Sequence, residues 1–118
     1  MSTTVLMDLA DELGTDAATR FVHVFTDLWP ARSQRIHAAI HARDAPAAMD
    51  AVLSLRSAAL MAGARSLADQ AELIRGTLCT PGAPAWDDAH HRLAAMDDLG
   101  DRTVQMLSAA IAGSPPCG

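Results

Sequence analysis

The chain contains no lysine and no tyrosine, only two phenylalanines and two tryptophans, and only two cysteines. Each shortage closes off a class of function. A nucleic-acid platform needs cations for the phosphates and aromatic faces for the bases. Here nine arginines face fourteen acids, the net charge is −5, and aromatic residues make up 3%. No nucleic-acid partner is expected. Cys79 and Cys117 are too few for a disulfide framework, and free thiols in a reducing cytoplasm are the simpler expectation. The first residues carry no basic segment, and Asp8, Asp11 and Glu12 interrupt the first apolar stretch, so no signal peptide is expected. No apolar run approaches the ~18 residues that a membrane helix needs, so no membrane partner is expected either.

What is present is alanine, twenty-five of it, in a chain of 118 residues that is 50% hydrophobic and 19% charged. That balance suits one folded domain rather than a disordered chain. Alanine-rich sequence with few β-branched residues points to closely packed helices. Five segments carry helical periodicity. Val5, Leu6, Leu9 and Leu13 make a short opening helix that stops at Gly14. Asp16 is placed to cap a long second helix with the stripe Phe21, Phe25, Leu28, Ile36 and Ile40, broken or kinked near Leu28 and Trp29 by Pro30. Asp44 caps a third helix, Pro46 sits in its first turn, and Ala48, Val52, Leu55, Ala59 and Ala62 form the buried stripe. After Gly63 a fourth helix turns Leu67, Ala71, Ile74 and Leu78 inward. A fifth carries Trp86, Leu93, Met96, Val104, Leu107 and Ile111, with Gly100 as a weak point. The expected fold is all-α: an antiparallel up-down four-helix bundle with a short additional N-terminal helix. One domain over residues 1–112 and a disordered tail over residues 113–118 follow from the pattern.

Residues 43–75 carry a combination of spacings. Asp44 caps the helix, Leu55-Arg56 and Ala58 follow, and Gly63-Ala64-Arg65-Ser66-Leu67 leads into Ala71 and Ile74. Upstream, Phe21, Phe25 and Leu28 precede a proline. Taken together this resembles the histidine-containing phosphotransfer (HPt) domains of phosphorelays, over roughly residues 5 to 112. The family motif runs from a capping Asp through Ala-His-x-Leu-Lys-Gly-Ser to Gly-Ala-x-x-Leu. The resemblance implies a cytoplasmic two-component signalling module whose partner is a response-regulator receiver domain or a histidine kinase, with no cofactor.

One departure bears on the chemistry. Nine residues on from Asp44, and ten back from Gly63, the family's phospho-accepting histidine is replaced by Leu53. Ser57 stands where the family has the glycine that makes room for the phosphoryl group. Leucine has no lone pair with which to attack an acyl phosphate, so no catalytic residue is expected at this position. The resemblance is to a degenerate, non-catalytic member. At about 100° per residue, Leu53 lies opposite the buried stripe, with Met49 and Leu60 above and below it and Arg56 and Ser57 alongside. Met49, Leu53, Arg56, Ser57 and Leu60 are the candidate partner-binding residues.

The histidines admit an alternative, an active phosphotransfer protein that uses His23, His37 or His41. His37 and His41, at i and i+4, share a helix face that could hold a metal, but a third and fourth ligand are not evident, and no metal site is expected. His90 and His91 are adjacent and diverge by about 100°, as do Asp87-Asp88 and Asp97-Asp98, which argues against paired acid–base catalysis. A homodimeric helical scaffold is the remaining alternative.

Overall fold

The structure, a computed structural model, describes residues 15–112. The expected opening helix, Cys117 and the expected tail lie outside the described residues. Every regular element within them is helical: α1 (Thr15–His41), α2 (Ala45–Met61), α3 (Arg65–Leu78), the short α4 (Trp86–His91) and α5 (Leu93–Ala112). The arrangement is compatible with a helical bundle. Among the described residues no helix is long and apolar enough to cross a membrane.

The two turns that flank α2 are built alike. Helix α1 ends with Arg43 in the left-handed region at φ 54°, and α2 ends with Gly63 at φ 73°. In the first turn the Asp44 amide donates to the Ala39 carbonyl at 2.9 Å and Arg43 to Ile40 at 3.1 Å; in the second, Ala64 donates to Ala59 at 2.8 Å and Gly63 to Leu60 at 3.1 Å. Both are Schellman closures, which satisfy carbonyls that the helix end would otherwise orphan. Only the second uses the glycine that this conformation favours, so the first was invisible to a search for glycine. Asp44 then starts α2 as well, accepting from the Ala47 amide at 3.1 Å with Pro46 in the first turn. Asp44→Ala is expected to cost about 1 kcal/mol, read as a lower midpoint in thermal unfolding.

Burial follows the expected stripes closely in α2 and α3. Ala48, Val52, Leu55, Ala59 and Ala62 are buried, as are Leu67, Ala71, Ile74 and Leu78. The small side chains let these two helices make the most extensive pairing among the described residues. In α1 the stripe is corrected at two of its five positions, each by one residue. Val22, Phe25, Trp29, Ile36 and Ile40 are buried, whereas Leu28 is exposed and Phe21 only half-buried. Helix α1 also continues through Pro30 without a break, and Asp16 lies inside its first turn rather than before it. The expected single last helix is interrupted at Arg92, whose amide is shared between the Asp88 and Ala89 carbonyls at 3.2 Å each.

Helices α1 and α5 are joined by a polar seam. Trp29 Nε1 donates to Asp101 Oδ1 at 2.9 Å, Ser33 Oγ donates to Asp97 Oδ1 at 2.6 Å, and His37 Nε2 meets Asp97 Oδ2 at 2.7 Å. On the α2 side, Arg35 reaches Asp50 at 2.6 Å and Arg32 reaches Ser54 Oγ at 3.0 Å. Exposed pairs such as Arg35–Asp50 contribute little to stability, about 0–1 kcal/mol. Their importance is positional, because they set which residues of α2 remain free.

Candidate protein-docking face

The outward side of α2 is decided by what the inward side and the flanks consume. The buried stripe faces the core. Ser54 is taken by Arg32 on the α1 flank, and Arg56 pairs with Glu72 of α3 at 3.3 Å on the other. Between those flanks lie Leu53, Ser57 and Leu60, all exposed, with Leu53 at 39% and Leu60 at 47% of full accessibility. Met49 is half-buried and packs against the core, so it contributes to the edge of the strip rather than to its middle. An apolar residue left in water at the centre of a helix gains its burial energy only when something covers it.

Arg56 is less available than its position suggests. Glu72 is also gripped by Arg75, with N–O distances of 2.6 and 2.9 Å, so Arg56 joins an existing ion pair. The hydrogen bonds from Arg75 hold the Glu72 carboxyl below the usual carboxylate range, and the charge of Arg56 adds to that pull. The cluster fixes Arg56 sideways along the strip, where its charge borders the apolar residues.

Two residues of this surface escaped sequence reasoning. Met61 follows Leu60 and is 55% exposed. Leu28, expected in the core, is 41% exposed and lines a groove of about 210 Å³ with Ala31, Arg32, Arg35 and Ser54. The groove runs along the α1–α2 seam and borders Leu53 through its neighbour Ser54. The available signal was the phase of the α1 stripe, since Leu28 precedes the buried Trp29 and so points about 100° away from it.

The histidines distribute differently. His23 and His91 are exposed. His37, His41 and His90 line one open recess of about 670 Å³, with Gln34, Ala38 and Leu93 among the other walls. The juxtaposition of His90 with the α1 pair was not foreseen. Among the described residues, no three His, Cys, Asp or Glu side chains are grouped so as to hold a metal ion. The adjacent carboxylates do point apart: Asp97 serves Ser33 and His37, while Asp98 pairs with Arg102 at 3.1 Å. Cys79 is a free, exposed thiol.

Comparison of the chain with known protein families, curated proteins and solved structures finds no match.

Proposed function

We propose that this protein is an HPt-like signalling module of a two-component phosphorelay, non-catalytic because Leu53 replaces the phospho-accepting histidine. In this reading the helices follow an antiparallel up-down course, the protein works in the cytoplasm, and the α2 face docks a receiver domain or a histidine kinase. The observation that carries the reading is the exposure of Leu53 and Leu60, with Ser57 between them in sequence, on a helix whose Val52 and Leu55 are fully buried. The family places its reactive residue at this position because a receiver must reach it. An aliphatic residue there keeps the contact area and removes the nucleophile.

Incubation with receiver domains carrying an aspartyl phosphate tests both halves. The expected result is saturable binding with no acid-labile, base-stable phosphate on the protein. Phosphate on His23, His37 or His41 would establish the active alternative. Absence of binding to every receiver and kinase of the source cell, with a stable dimer in dilute solution, would establish the scaffold alternative.

A further inference from the structure

We propose that the recess between α1, α4 and α5 is a binding site for a small organic oxyanion, a carboxylate or phosphomonoester attached to an apolar body. The site lies across α1 from the residues that meet α2, and it does not depend on receiver docking. Its volume of about 670 Å³ falls within the range of ~300–1,000 Å³ common for small-molecule sites.

The polar groups there are organised. Asp97 has one oxygen committed to the Ser33 hydroxyl at 2.6 Å and the other to His37 Nε2 at 2.7 Å. The carboxylate is therefore occupied within the protein and offers a ligand little negative charge. It also holds the His37 ring through Nε2. His41 stands one turn further along α1, and His90 approaches from α4. The titratable groups lining the recess are His37 and His41 from α1 and His90 from α4, and Asp97 of α5 stands behind His37 as its partner. Three imidazoles, each with a ring N–H to donate, thus stand around the recess, and the carboxylate nearest them is already engaged by Ser33 and His37.

The three imidazoles come from two helices along the length of the recess, which suits an occupant larger than a single ion. Ala38 and Leu93 add apolar walls beside the imidazoles. A ligand that satisfies both halves carries an oxyanion for the imidazoles and an apolar ring or chain for those walls.

Phenyl phosphate, benzoate and inorganic phosphate are the probes, followed through the imidazole carbon–proton signals in heteronuclear NMR. At about pH 5.5, where histidines are ordinarily charged, phenyl phosphate or benzoate is expected to move the His37, His41 and His90 signals saturably and to leave His23 and His91 in place. Whichever of the two binds more tightly identifies the headgroup. The double variant His41→Gln/His90→Gln alters two exposed residues and should keep its melting temperature while losing at least ~10-fold in affinity. Leu53→Arg should bind the probes as the wild type does, which separates this site from the docking face. The proposal is overturned if neither organic probe moves the three signals, or if all five histidines respond alike. It is equally overturned if inorganic phosphate binds as tightly as phenyl phosphate, or if the double variant, still folded, binds unchanged.

Discussion

Gly100→Ala is expected to destabilise the protein by about 2–4 kcal/mol, although alanine is the better helix former. A Cβ built on Gly100 would lie 1.9 Å from Trp29 Cζ2 and 2.1 Å from Cη2. These are atoms of a rigid indole that is only 5% exposed, so no flexible end can swing aside. The ring is also tethered beside this contact by the 2.9 Å hydrogen bond from Nε1 to Asp101. Admitting the methyl means moving α5 away from α1 or expelling the indole. Overpacking costs typically ~1–3 kcal/mol, and loss of a buried Trp side chain ~3–5 kcal/mol, against ~1 kcal/mol regained in helix propensity. For a domain of this size the melting temperature should drop by more than ~8 °C. Gly76 supplies the control, because a Cβ there meets nothing within 4 Å. Gly76→Ala should stabilise by about 0.5 kcal/mol. Opposite signs for the same chemical change would show that the Gly100–Trp29 contact, and not glycine content, governs the result. Equal and small effects would show that the seam yields readily.

The same pair explains where sequence reasoning succeeded and where it stopped. In α2 and α3 the buried positions are spaced three and four apart in unbroken runs, so periodicity assigns them even though Leu53 follows Val52 and Leu73 precedes Ile74. In α1 the consecutive Leu28 and Trp29 compete for the inward position, and the following proline suggested that the helix gave way there. What favours Trp29 is Gly100, more than seventy residues away, whose missing side chain leaves the space on α5 that the indole occupies. No local pattern contains that information. Once Trp29 turns inward, Leu28 must turn outward, and the docking surface gains a residue that belonged to the expected core.

The candidate site divides in the same manner. Leu53, Ser57 and Leu60 were legible because they share one helix, and their phase follows from the buried stripe. The flanking groove and the Arg56–Glu72–Arg75 cluster were not, because each is made between helices. The histidine recess makes this plainest. His37 and His41 announce themselves by spacing, but His90 and Asp97 reach them only through tertiary packing. Asp97 looked like half of a surface acidic pair, whereas in the fold its two oxygens join Ser33 and His37.

Leu53→Arg is expected to weaken partner binding by several-fold to a hundredfold and to leave the folded state as stable as before. The binding loss has two sources. A buried leucine contributes about 1.5–3 kcal/mol, and an arginine placed in the contact must be desolvated without a designated partner. A net ~1–3 kcal/mol corresponds to that range of affinities. Stability should stay within about ±0.5 kcal/mol because Leu53 is already partly in water, at 39% of full accessibility, and its neighbours Ser57 and Leu60 are exposed too. Leu55, two residues on and completely buried, provides the contrast: Leu55→Ala should cost ~2–5 kcal/mol and lower the melting temperature strongly. A docking residue and a core residue are thus separated by the order in which properties fail. If Leu53→Arg unfolds the domain, the face is core and the docking argument falls. If it binds receivers as well as the wild type does, partners engage another surface, and the aliphatic strip plays no part in recognition. Binding lost at an unchanged melting temperature is the outcome that ties the exposed leucine to a partner.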